Sequence, residues 1–329
     1  MSSLNTIDCP VKLSAQTDIN KQREINKQRE NELHFKRITA DNMDEVWKYA
    51  AQDKGRSCDF SYGGILMWND IFDYEYAIYD ETLFIKGRNE EDMESFAFSI
   101  PVGKLPLKES IKLLKNWCED NESPLILSAV PEYYMEELKD LNPIEIKELD
   151  GWADYIYELP VLATLTGKKM AKKRNHVNQY LHNYGDGTYE RITKENIADV
   201  EEFMEKIERN PAPNSNAAME RHLANRLLHS WEKHMENFIG GLLRVNGKVV
   251  AFTIADMKGD TLFIHIEKAD REITGSYEMI NKAFAEDMYN EFPNLKFVNR
   301  EDDSGDEGLR QAKSSYHPVE LLKKYCVEF

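Results

Sequence analysis

The order in which apolar runs change period constrains this chain more than any other feature, because one succession of strand-like and helix-like segments occurs twice. HFKRI, from His34, reads as a strand, and Asp41 is expected to cap a helix with Met43, Val46, Trp47 and Ala50 on one face. A second helix presents Tyr62, Ile65, Leu66 and Trp68, and strands over 72–79, 82–86 and 95–100 suggest an antiparallel meander. An amphipathic helix over 107–120, the proline-bounded strand PLILSAV, a helix over 132–141 and a hairpin turning at Asp150-Gly151 complete the first series. The second runs through the strand TYERI, a helix capped by Thr193 with Ile197, Val200, Met204 and Ile207, and a helix aligning Met219, Leu223, Leu227 and Trp231. Strands over 238–245, 248–257 and 261–267 follow, the first two joined by the hairpin signal Asn246-Gly247. A helix with Tyr277, Ile280, Phe284 and Met288, the strand LKFVN, a short helix around Leu309, and a last strand holding Leu321, Leu322, Tyr325 and Val327 end the chain.

This order, β-α-α-β-β-β-α-β-α-β, is that of the GNAT acyltransferase fold, and its repetition implies an α+β protein of two tandem GNAT-like domains. Each is expected to be a mixed, mainly antiparallel sheet flanked by helices, one over 33–160 and one over 161–329. Residues 1–32 are polar and repeat INKQRE directly, at 19–24 and 25–30. With so little apolar surface to offset ordering entropy, they read as a flexible arm.

A net charge of -17 opposes nonspecific attraction to nucleic acid or an anionic membrane, so such contact needs a local basic patch. The best is Lys168, Lys169, Lys172, Lys173 and Arg174, on an expected helix with an apolar stripe of Met170, Val177, Leu181 and Tyr184; it is a candidate for tRNA contact. The four cysteines are scattered singly, as in a reduced compartment, and no run approaches a membrane span, so a cytoplasmic location is expected. Histidine spacing offers no metal motif, and neither a GxSxG elbow nor a P-loop is present.

The stretches GKKMAKKRNHVNQY, FIHIEKADREITGSYEMIN and FVNREDDSGDEGLRQAKSSYHP are similar to a bacterial family resembling the C-terminal domain of phosphatidylglycerol lysyltransferases. In such enzymes tandem GNAT domains move an amino acid from aminoacyl-tRNA to a lipid head group, and Fem-type transferases share the doubled architecture. The resemblance therefore implies acyl or aminoacyl transfer, with aminoacyl-tRNA or acyl-coenzyme A as donor.

Two segments carry the expected site. Between the third strand and the next helix, Lys268, Arg271 and Gly275 stand where GNAT enzymes hold a pyrophosphate on a helix N-terminus, with Lys173 and Arg174 as further anion contacts. At the tip of LKFVN, Glu301 or Asp302 is expected to act as a base or amine-binding carboxylate, Lys313 to offset transition-state charge, and Tyr316 to act as general acid. If the strand continues, alternation puts Asn299 and Glu301 on one side and Arg300 on the other; Asn299 and Arg300, with Glu267, are expected to touch substrate. Tyr62 and Trp68 read either as core or as the wall of an interdomain cleft, and Arg271, Glu301 and Tyr316 are expected to converge on one slot.

Overall fold

A computed structural model describes residues 33–89, 92–185, 187–207, 216–229 and 231–329. In the first half, β1 (Lys36–Arg37), α1 (Met43–Ala50) and α2 (Tyr62–Phe72) precede β2 (Glu75–Tyr79), β3 (Thr82–Arg88), β4 (Phe96–Phe98) and β5 (Val102–Gly103). Then come α3 (Leu107–Asp120), β6 (Ile126–Pro131), α4 (Met135–Lys139), β7 (Glu145–Glu148) and β8 (Asp154–Glu158). The second half begins with α5 (Leu159–Thr164), α6 (Ala171–Tyr184), β9 (Thr188–Arg191), α7 (Ile197–Ile207), α8 (Asn216–His229) and α9 (Trp231–His234). It ends with β10 (Ile239–Val245), β11 (Lys248–Lys258), β12 (Thr261–Ala269), α10 (Ser276–Glu291), β13 (Phe297–Asn299), α11 (Glu307–Ser314), β14 (Glu320–Leu322) and β15 (Lys324–Glu328).

These strands form two mixed sheets of matching plan. One runs β1-β2-β3-β4-β6-β15-β7, with β5 on β3, and the other β9-β10-β11-β12-β13-β8-β14. Each contains one parallel pair at the same place, β4 with β6 and β12 with β13. The sixth position of each sheet is filled by a strand from elsewhere in the chain: β15, from the extreme C-terminus, lies between β6 and β7, and β8 lies between β13 and β14. The halves thus exchange strands.

Two expectations change in consequence. The chain does turn at Asp150-Gly151, but β7 and β8 do not form a hairpin; they enter different sheets. The final apolar run is likewise two strands, β14 in the second sheet and β15 in the first.

The same local device starts both halves. Asn42 accepts from Thr39 N–H (2.8 Å) and donates to the Arg37 carbonyl (2.9 Å), and Asn196 does the same with Thr193 (2.8 Å) and Arg191 (2.9 Å). Both sit in the sequence Arg-Ile-Thr-x-x-Asn, which closes the turn between first strand and first helix. Asn42, not Asp41, therefore precedes α1; Asp41 pairs with Lys233. Thr193 lies earlier in the corresponding turn, accepting from Glu195 N–H.

One apolar core joins the halves. Tyr62, Ile65 and Tyr76 from the first pack with Ile192, Phe203, Leu227, Trp231, Phe252 and Ile266 from the second. Each such side chain contributes roughly 1.5–3 kcal/mol when buried, so together they hold the two sheets as one unit. The buried pair Lys258–Asp53 (2.8 Å) adds a polar contact across the same junction. On the outer face of the second sheet, α5, α6 and α10 cover Tyr157 and Leu262, with Phe284 of α10 and Tyr180 of α6 buried in the same layer. The buried face of α6 uses Met170, Val177 and Tyr180; Leu181, expected on that stripe, is exposed.

Candidate active site

Pairing between β12 and β13 is confined to Thr261–Phe297, Leu262–Val298 and Phe263–Asn299, yet β12 continues to Ala269. The sheet therefore opens beyond Asn299, and side chains from both strands fill the opening. Against β11 the register of β12 jumps, Ile254 facing Ile266 and Ala255 facing Ile264, leaving His265 as the extra residue of a bulge. Bulges of this kind re-aim a side chain beside a site.

His265 is fully buried between two carboxylates: Nε2 lies 3.0 Å from Asp256 and Nδ1 lies 2.7 Å from Glu301. Burial alone would lower its pKa, but Asp256 and Glu301 outweigh that and raise it to about 10, so the ring is an imidazolium at neutral pH. Asp256 also accepts from Gly63 N–H (2.5 Å) in the first turn of α2. A Cβ at Gly63 would lie 2.3 Å from the imidazole, so only glycine allows that approach of the first half.

Glu301 itself has φ +56°, a left-handed conformation that costs a non-glycine residue roughly 1–2 kcal/mol. Its N–H donates to Asn299 Oδ1 (2.6 Å), and its carbonyl accepts from Tyr155 of the exchanged β8 (3.1 Å). Ala129 has the same conformation (φ +53°) just past the parallel pairing of β6, so the twist belongs to the fold. Where the second half carries the acid Glu301, the first carries a methyl group.

Arg300 faces the opposite way. It binds Glu267 (2.8 Å), whose other oxygen accepts from Asn281 Nδ2 (3.1 Å). Among the described residues, the buried atoms Arg300 Nη1 and Asn281 Oδ1 have no hydrogen-bond partner. Tyr316 closes this side, with Lys173 Nζ 3.8 Å and the Arg300 guanidinium 4.8 Å from its ring centre. Burial pushes the Tyr316 hydroxyl well above the usual phenol range, so it remains protonated. Burial lowers the pKa of Lys173, partly countered by Glu278 at 3.3 Å.

Of the expected site residues, Asn299, Arg300, Glu301, Glu267, Tyr316 and Lys173 meet around this strand end. Lys313 meets it differently: its ammonium donates to the carbonyls of Arg300 (2.6 Å) and Asp302, holding the turn, and burial lowers its pKa. Asp302 accepts from the Ser304 N–H and hydroxyl, and burial pushes its pKa up to about 6.

The expected slot of Arg271, Glu301 and Tyr316 does not form. Arg271 is exposed and has no partner among the described residues, while Glu301 and Tyr316 lie on opposite sides of the strand end. Gly275, at φ +80°, begins α10, where an added Cβ would meet the His176 carbonyl at 2.3 Å; α6 therefore lies over that helix end, and Glu278 occupies its first turn. Lys268 is buried on β12. Arg174 is turned back onto the carbonyls of Leu165 (2.5 Å) and Gly167 (2.7 Å). Lys168 and Lys169 precede α6 and Lys172 lies in its first turn, all three exposed. Tyr62 is core, hydrogen-bonded to His234 (3.2 Å), and Trp68 packs at a tilt against Phe72, so neither lines the opening.

Asp256, His265, Asn281 and Glu278 went unread in the sequence. Strand β12 reads TLFIHIEKA, and a histidine and a glutamate within so apolar a run were the available signal. Cys58, Asp59 and Asp154 offer three ligand atoms within 4.8 Å of one another, but Lys324 already supplies a cation there, 2.7 Å from Asp59 and 2.9 Å from Asp154.

Two mixed sheets of this plan, each with helices and a parallel pair that parts at its end, define a GNAT-like protein of the acyltransferase-like kind. The chain belongs to the phosphatidylglycerol lysyltransferase C-terminal family, whose sequence profile matches residues 50–328. A crystal structure of a conserved protein of unknown function from Bacteroides thetaiotaomicron is 34% identical, with a TM-score of 0.81, over 90% of this chain and 99% of that one. L-PGS from Bacillus licheniformis is similar in fold, with a TM-score of 0.60 at 12% identity over 89% of this chain and 92% of that one. An uncharacterized protein of Mycoplasmoides gallisepticum is 24% identical over 225 residues, 66% of this chain and 70% of that protein. No helix among the described residues is long and apolar enough to cross a membrane.

Proposed function

We propose that this protein transfers an aminoacyl group from aminoacyl-tRNA to an amine or hydroxyl acceptor, directly and without a covalent enzyme intermediate. The observation that carries this reading is the partly exposed Glu301 carboxylate, fixed by the His265 imidazolium where β12 and β13 part. Held 2.7 Å from His265 Nδ1, the Glu301 carboxylate is placed to accept a hydrogen bond from an acceptor. It then takes a proton only as bond formation makes that proton acidic. The acceptor nitrogen or oxygen attacks the ester carbonyl carbon, the ester C–O bond breaks, and the proton passes through Glu301 to the departing ribose oxygen.

Exposed Lys168, Lys169 and Lys172 offer phosphate contacts for tRNA on an otherwise acidic protein. The covered N-terminus of α10 and the acid Glu278 in its first turn favour an aminoacyl ester over the pyrophosphate of coenzyme A.

The test is Glu301→Gln, assayed for transfer from charged tRNA. An α-amine of pKa about 8 is already partly deprotonated at neutral pH, whereas a lysine amine near 10.4 or a hydroxyl is not. The substitution should therefore cost little with the first acceptor, and about 10²–10⁴-fold with the others. Unchanged rates with hydroxyl and lysine acceptors alike would remove Glu301 from the chemistry.

A further inference from the structure

We propose that Lys324 is a positioning residue for Glu301, brought to the site by the strand that the second half gives to the first sheet. Strand β15 pairs with β6 and β7 of the first sheet, Lys324 standing opposite Pro131. Its side chain is 1% exposed, and a lysine ammonium is kept so far from water only where partners replace the hydration. Three do so: Asp59 at 2.7 Å, Asp154 at 2.9 Å and Cys58 Sγ at 3.3 Å.

Asp154 passes this anchoring on. It stands on β8, the other exchanged strand, and its second oxygen accepts from Cys58 N–H and from Asn299 Nδ2, both at 2.8 Å. Asn299 Oδ1 in turn accepts the Glu301 N–H at 2.6 Å. A continuous hydrogen-bonded chain thus runs from Lys324 through Asp154 and Asn299 to the backbone of Glu301. A left-handed non-glycine residue persists where its surroundings over-determine it, and this chain is what determines Glu301. The site of the second sheet is therefore incomplete without strands from both halves.

The inference deepens the transfer reading, and its test needs no turnover. The groups facing His265 are Asp256 on β11, Glu301 after β13, Gly63 N–H through Asp256, and the Phe238 ring. If Lys324→Met frees the Glu301 turn, His265 loses one carboxylate and its titration, followed by NMR of labelled histidine and assigned with a His265 variant, falls from about 10 by one unit or more. Removing a nearby positive charge through space would instead raise that midpoint, and loss of stability alone would not move it, so a fall is specific to repositioning. Asn299→Ala carries no change of charge and should produce the same fall; it decides the matter if Lys324→Met does not fold. A folded variant with an unmoved His265 midpoint overturns the inference. Undiminished transfer activity in a variant whose midpoint has shifted would count against the transfer reading and leave the positioning intact.

Discussion

His265 sets the pH behaviour of this molecule. Its folded pKa is raised to about 10 against about 6.5 for a free imidazole, so the stability it contributes is fully present below 6.5 and lost as pH rises through 10. Urea unfolding measured from pH 7 to 10 should show stability falling with pH, and His265→Gln should flatten that slope. Asp302, raised to about 6, gives a contribution present below about 3.9 and lost by 6, a window that lies just below that of His265. At this scale the sequence was partly legible. Glu301 and Arg300 stood out because polar residues end an apolar strand, but the strand stops at Asn299 and Glu301 is left-handed, so period-two alternation does not extend to them. The bulge that turns His265 toward Glu301 depends on a one-residue offset between β11 and β12, which no periodicity in either strand encodes.

Gly275 belongs to the contact between two helices. The left-handed N-terminus of α10 and the 2.3 Å approach of the His176 carbonyl both demand a residue without Cβ. Gly275→Ala should therefore destabilise by at least about 1–2 kcal/mol, read as a lowered midpoint in urea, with α6 displaced from α10. The elements themselves were largely legible, since β10 and β11 meet at Asn246-Gly247 as expected and α3 spans Leu107–Asp120. What misled was the use of one element: a glycine before a helix read as a phosphate loop, whereas here it admits α6 across the helix end. Likewise Lys173 and Arg174, counted with the surface charges, turn inward to Glu278 and to the carbonyls that end α5.

Strand exchange is the property of the whole molecule, and it was invisible in the sequence because pairing partners are set by tertiary packing. Asp150-Gly151 has the chemistry of a hairpin turn, and only the second sheet's claim on β8 opens it. Deleting residues 323–329 should accordingly raise amide exchange in β6 and β7, far away in sequence, more than in α11 next to the cut; the reverse pattern would speak against a load shared between halves. The same interlocking brings Asp154, Lys324 and Gly63 to the strand end where Glu301 and Arg300 meet. Calorimetric titration of the intact chain with a hydrolysis-resistant 3′-aminoacylamido-adenosine, set against coenzyme A, tests the site most directly. The account predicts saturable binding of the aminoacyl nucleoside and none of coenzyme A; binding of coenzyme A alone would contradict it.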